Sequence, residues 1–426
     1  MIRLLLFIGL IVVGSAAGAV DGLDFDGHLK PRYTAQTFPD NSLFNELTGS
    51  NAQDLSIETR LKIAYDSGHW DLRADYQFAV LYGDTIEYTR DFPDGLQFLV
   101  ARLPDDRRRL FDLTHVFEDE GKTAVLHRLD RASVGYTGEK TVARFGRQAV
   151  TWGNGMIYSP MDIFNPFDPA AIDTEYKAGD DMLYGQYLRD GGDDLQAVAV
   201  FRRNVRTGDF ETADSSLAFK YHGVGGETEY DLLAAVHYDE PLLGIGGSTA
   251  IGGAVWRGDF TLAFTDEDAA TGQTSDLIAS LVTSLNYSWT WGGKNISGVA
   301  EYFFNGFGQR DGNYDPASLA SNPGLLARIV RRELFTLGRH YLTASAMLEV
   351  TPLFLMTPNL FVNLSDGSAL LQLITQNDLK ENFVLLGALN VPVGPGGTEF
   401  GGISTGVPGQ YLASDLSLFV QLAWYF

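Results

Sequence analysis

Taking every second residue of the last stretch of the chain puts Leu416, Leu418, Val420, Leu422, Trp424 and Phe426 on one face and Ser417, Phe419, Gln421, Ala423 and Tyr425 on the other. Side chains that alternate in this way belong to a strand, not a helix. The same rhythm recurs upstream. Leu55, Ile57, Thr59, Leu61, Ile63 and Tyr65 alternate with Ser56, Glu58, Arg60, Lys62 and Ala64; Ser67-Gly68 makes a turn; and Trp70, Leu72, Ala74, Tyr76, Phe78 and Val80 then oppose Arg73, Asp75 and Gln77. This predicts a hairpin with one apolar and one charged face. Similar segments lie near 128–137, 141–150, 182–189, 195–203, 215–222, 228–238, 248–256, 259–265, 277–290, 295–305, 339–350, 353–364, 369–376 and 383–391. Phe25–Tyr33 adds one more, with Pro31 suited to a strand end. The total is about eighteen strands, within a range of about 16 to 20.

The connections alternate too. Short ones fall at Ser67-Gly68, Gly138-Glu139, Gly191-Gly192, Gly223–Gly226, Arg257-Gly258, Gly292-Gly293, Thr351-Pro352 and Asp378–Glu381; long ones at Gln36–Gln53, Gly83–His127, Thr151–Asp181, Gly306–Gly338 and Pro392–Ala413. Short turns on one rim, long loops on the other and charge on alternate positions describe an all-β, transmembrane, antiparallel up-and-down barrel. The apolar phase then faces lipid and the charged phase faces an aqueous lumen. Leu61, Ile63, Tyr76, Phe78, Leu217, Phe219, Leu285 and Tyr302 fall on the lipid phase. Glu58, Arg60, Lys62, Arg73, Asp75, Arg144, Lys220, Glu229, Asp231, Glu301 and Glu349 fall on the lumen phase.

The two ends agree with that class. Met1, Ile2 and Arg3, the apolar run Leu4–Val13 and the small residues Ala17, Gly18 and Ala19 form a secretory signal over residues 1–19, leaving residues 20–426 as one barrel. No stretch approaches the ~18 consecutive apolar residues of a membrane helix. A last strand that ends in Trp424 and Phe426 resembles the assembly signal of outer-membrane β-barrels, which implies the outer membrane and its lipid as the setting and the barrel-assembly machinery as a partner.

Composition removes whole classes of chemistry. With no Cys, the chain has no disulfide, no thiolate metal site and no covalent haem attachment of its own. The net charge of −23 argues against nucleic acid as a partner and favours attraction of cations. The seven His are scattered one per segment, without metal-ligand spacing, and no nucleophile elbow appears, so no catalytic residue, cofactor or metal is expected. Between Gly83 and His127, the segment after Pro104 with Arg107–Arg109, Leu110, Phe111, Leu113 and Val116 predicts a short amphipathic helix capping or entering the barrel.

The most specific internal stretch is Arg144-Phe145-Gly146-Arg147-Gln148-Ala149-Val150-Thr151-Trp152-Gly153-Asn154-Gly155-Met156. It continues through Pro160-Met161-Asp162-Ile163-Phe164-Asn165-Pro166-Phe167-Asp168-Pro169 to Asp180-Asp181-Met182. The Gly-Arg-Gln strand followed by Trp-Gly resembles a motif of porin-like families of Gram-negative bacteria, alginate-export-type barrels among them. It is also similar to the porin component of porin–cytochrome electron conduits. The resemblance implies one of two functions: a channel for passive passage of small hydrophilic solutes or ions, or a scaffold sheathing a multihaem c-type cytochrome. A homo-oligomer is compatible with either.

On the channel reading, the Thr151–Asp181 loop folds inward and constricts the lumen. Arg144 and Gln148 on the wall then face Asp162, Asp168, Asp180 or Asp181 on the loop, with Arg60, Arg73 and Asp75 lining the pore. The alternative is that Arg144 and Arg147 pair with wall carboxylates such as Asp130. Alternation puts Arg147 opposite Arg144, at the outer rim or in a bulge.

Overall fold

A computed structural model describes residues 21–100, 102–266 and 275–426; the expected signal segment lies outside the described residues. Among the described residues twenty-one strands follow in chain order: β1 Leu23–Thr37, β2 Asn51–Ser67, β3 Trp70–Gly83, β4 Thr114–Glu120, β5 Thr123–Thr137, β6 Thr141–Gln148, β7 Asp180–Leu188, β8 Asp194–Val200, β9 Ser216–Gly225, β10 Thr228–His237, β11 Glu240–Ile251, β12 Ala254–Thr265, β13 Asp276–Trp291, β14 Lys294–Phe304, β15 His340–Thr351, β16 Phe354–Asn363, β17 Ala369–Lys380, β18 Phe383–Val393, β19 Ile403–Ser404, β20 Tyr411–Leu412 and β21 Leu416–Tyr425. β4 hangs on the upper half of β5, and β19 and β20 form a separate ribbon in a loop. The remaining eighteen pair antiparallel in sequence order, and β1 pairs with both β2 and β21, which closes the barrel.

Outward side chains are apolar: Leu217, Phe219, Leu285 and Leu342 are exposed, while the intervening Ala218, Ser284 and Thr343 are buried inside. Along the short-turn rim, Trp70 meets Tyr136, Tyr287 stacks on Trp289, and Trp424 lies between Phe383 and Phe426. Such a girdle suits a membrane interface, where a ring can be half in lipid. No helix among the described residues is long and apolar enough to cross a membrane.

Three local expectations are corrected. Pro31 sits inside β1, not at its end; the β1–β21 ladder skips Lys30 and Pro31, so the missing N–H interrupts only that edge. The turn expected at Arg257-Gly258 lies at Gly252-Gly253, whose φ of 56° and 89° only glycine adopts freely; Arg257 and Gly258 are mid-strand in β12, paired with Ser248 and Gly247. The segment after Pro104 is not helical. Its Asp106 carboxylate accepts the Leu113 N–H and pairs with Arg109, so the chain wraps around that buried acid before entering β4. One long-loop connection is also tight, turning at Tyr238 and Asp239 with φ of 51° and 65°.

Candidate functional site

The segment between β6 and β7, residues 149–179, turns into the lumen and contacts the wall around its circumference. Trp152 Nε1 donates to Gln196 of β8 at 2.7 Å. Five successive backbone N–H groups, Asn154 to Tyr158, then donate to two wall carboxylates: Asn154 (2.7 Å) and Gly155 (3.2 Å) to Asp259 of β12, and Met156 (2.7 Å), Ile157 (3.2 Å) and Tyr158 (2.6 Å) to Glu301 of β14. The Tyr158 ring stacks on Phe303 of β14 at 4.7 Å. Farther along, the Ala170 carbonyl accepts from Gln372 of β17. Asp173 takes Lys30 of β1 (2.9 Å) and Gln421 of β21 (2.8 Å), Glu175 takes Lys30 (2.6 Å), and the Tyr176 ring lies 3.8 Å from the Arg60 guanidinium of β2.

Glycines on the wall admit this loop. Gly244 and Gly246 of β11 point inward, and a Cβ on Gly246 would lie 2.8 Å from Asn154 Nδ2 and 3.0 Å from Met161 Sδ. The Gly244–Gly253 run is therefore half strand floor and half turn.

The loop's neck is held by ion pairs. Lys177 Nζ contacts both Asp162 oxygens at 2.6 and 2.7 Å and the Val150 carbonyl at 2.6 Å. Burial pushes the Asp162 carboxyl up to about 6 against the pull of Lys177. Asp173 is likewise raised by burial, but the hydrogen bonds from Lys30 and Gln421 outweigh it and hold it at about 2.

The residues singled out from sequence separate into distinct groups. Arg144 is half-exposed and pairs with a wall carboxylate, Asp71 of β3, at 3.4 Å, as the alternative reading has it. Gln148 is buried and donates to the Met182 carbonyl. Asp168 caps the local turn through the Ala170 N–H. Asp180 pairs with Arg202 at 2.7 Å and Asp181 with Arg147 at 2.9 Å. Arg73 pairs with Asp66 and Asp71, Arg60 with Asp130 at 2.6 Å, and Asp75 lies in register with Arg131.

Arg147, which alternation puts at the outer rim or in a bulge, is buried between Asp106 and Asp181. Gly146, between Arg147 and the exposed Phe145, has φ 122°. A Cβ there would lie 2.2 Å from the Ala132 carbonyl oxygen. An irregularity between Asp75 and Tyr76, opposite Asp130, packs Arg60, Arg128 and Arg131 around that one carboxylate.

These charges stand on opposite walls. In the closed ring of eighteen, β2 and β5 are the second and fourth staves and β12 and β14 the eleventh and thirteenth, so each pair is half a turn apart. Arg60 therefore opposes Asp259, and Arg128 and Arg131 oppose Glu301, with the loop between them. A hydrogen-bonded chain that sequence reading missed lies above: Ser216 to His237 Nδ1 at 2.8 Å and His237 Nε2 to Glu333 at 3.0 Å. Ser216 is 5% exposed and its Oγ also accepts from Arg202 at 2.7 Å, so it ties the 305–339 loop to the wall and presents no free nucleophile.

No protein-family model and no curated protein matches this sequence. Solved structures do match. A BenF-like porin from Pseudomonas fluorescens has a TM-score of 0.52 at 9% identity, with 96% of this chain and 100% of that chain covered. OccAB2 of Acinetobacter baumannii has a TM-score of 0.53 at 7% identity (96% and 99% covered). This chain has the fold of the outer-membrane porins. OccK8 (OprE) of Pseudomonas aeruginosa agrees, with a TM-score of 0.51 at 9% identity, covering 96% and 99%. At such identities the likeness is one of porin architecture, and residue roles rest on the geometry above.

Proposed function

We propose that this protein is an outer-membrane channel for passive passage of small hydrophilic solutes and ions, with residues 149–179 as its constriction. The observation that carries this reading is the loop held across the lumen between the arginines of β2 and β5 and the carboxylates of β12 and β14. Opposed charges in a narrow, partly desolvated passage orient a polar solute and strip part of its hydration at low cost. The acidic excess of the whole chain attracts cations to the mouth, so a cation preference is expected. Folding and insertion would use Trp424 and Phe426, whose strand closes the ring on β1.

The sheath for a multihaem cytochrome finds no support. The loop, tied to β8, β12, β14, β17, β21 and β1, takes up lumen that a sheathed cytochrome would need. No catalytic role is proposed. Single-channel recording of the purified barrel in a planar bilayer tests the reading: steady current steps with cation preference are expected, and a barrel that inserts without conducting overturns it.

A further inference from the structure

Between the inward loop, the 305–339 loop and the wall of β10–β14 lies a partly open chamber of about 90 Å³. Its lining is dominated by rings and aliphatic groups, among them Tyr158, Ile163, Phe167, Phe303, Phe307 and Leu334. The charged groups on its border are already engaged with one another: Glu333 with His237, Arg328 with Glu240, and Asp162 with Lys177. The Arg328 guanidinium also covers the Phe307 face at 3.4 Å. An ionic ligand here would face desolvation with no unpaired counter-charge on this border, which costs several kcal/mol. An uncharged ring meets apolar walls and aromatic faces that favour stacked or edge-on contact. Thr261, Ser280 and Thr336 are also on the lining; Ser280 Oγ already accepts the Gly306 N–H and Thr336 Oγ1 the Asn305 amide, which leaves their hydroxyl protons to meet one polar substituent. A closed apolar cavity of ~150 Å³ holds benzene, so a smaller one that opens on one side suits a single ring and no more.

We propose that this chamber binds small uncharged monocyclic solutes, aromatic or alicyclic, carrying at most one hydroxyl. The role of the site as a stop on the way through the barrel rests on the channel reading; binding itself does not.

Saturation-transfer NMR with phenol on the purified full-length barrel reads the site directly. Saturable binding is expected, competed by cyclohexanol and not by acetate or glucose. Ala263→Phe, which fills the chamber from β12, should weaken it at least ten-fold. Phe335→Ala removes a half-exposed ring of the lining without touching the wall, and should weaken it several-fold even where the first variant fails to fold. Phenol binding that does not saturate, or that is unchanged in Phe335→Ala, overturns the proposal. Conductance recorded on the same sample separates the two ideas. Current without phenol binding removes the chamber site alone, whereas saturable binding without current removes the channel reading and leaves the site.

Discussion

Arg147 and Asp181 face each other in register on β6 and β7, joined by two contacts of 2.9 and 3.1 Å at the point where the inward loop leaves the wall and returns to it. Arg147 also holds Asp106 at 3.0 Å and the Phe111 carbonyl at 2.7 Å, so one guanidinium ties three segments together. Removing one partner of such a buried set strands the others. Arg147→Ala should therefore cost roughly 3–5 kcal/mol. Arg144→Ala, which loses a half-exposed contact at 3.4 Å, should cost about 1 kcal/mol or less. Urea unfolding in lipid vesicles, followed by tryptophan fluorescence, compares them, and equal losses would remove the special role of the buried Arg147 set.

The phase of the wall is tested at β13. Leu285→Arg puts a charge in lipid and should cost roughly 2–4 kcal/mol, while Ser288→Arg, exposed on the lumen phase near the turn, should cost under about 1 kcal/mol. Ser284, on the same face, does not serve as the control, because it is buried at 3% exposure beside the Glu301 anchor and an arginine there would overpack. The same vesicle unfolding assay distinguishes the two, and equal tolerance would mean that the strand's faces are misassigned.

Glu301→Ala frees the N–H groups of Met156, Ile157 and Tyr158, each of which makes a charge-assisted bond of about 1.5–3 kcal/mol. The loop tip should leave the β14 wall, and single-channel current should become larger and noisier. Deleting residues Pro160 to Pro169 should raise conductance further. If both variants conduct like the parent, the loop does not set the bore.

Loop docking should depend on pH in two opposite steps. Asp162 is raised to about 6 when docked, so its contribution is fully present below its free value of 3.8 and is lost as pH rises through about 6. Asp173 is held at about 2, so its contribution is present above 3.8 and is lost as pH falls through about 2. Docking should thus tighten from pH 7 to about 4, by up to ~3 kcal/mol, and loosen below pH 3. Limited proteolysis of the loop across that range reads the effect. Asp162→Asn should abolish the step between pH 4 and 6 and leave the lower one. A parent protein without the upper step would show that Asp162 titrates the same docked and free.

Strand number, wall phase and most turns were legible because they depend on local alternation and on glycine. Leu285 outward and Glu301 inward follow from counting in twos within one strand, and Gly292-Gly293 marks its own turn. Local signals fell short at Arg147 and at Arg257-Gly258. Alternation leaves Arg147 at the outer rim or in a bulge, and only the structure buries it between Asp106 and Asp181. At Arg257-Gly258 a glycine stands inside a strand, and the double glycine five residues earlier makes the turn instead.

The sequence by itself therefore determined that the chain is a barrel, which faces are wet, and that residues 151–181 form a long, tightly folded connection. Periodicity and turn chemistry are properties of neighbours in the chain. Only the tertiary structure decided which charges meet. Arg144 reaches Asp71, Asp259 and Glu301 take loop amides and no cation, and Arg60 shares Asp130 with Arg128 and Arg131. The physical reason is that every lumen charge of a closed ring has carboxylates and guanidinia within reach on several staves. Burial, register and the irregularity beside Asp75, not sequence spacing, select the partner.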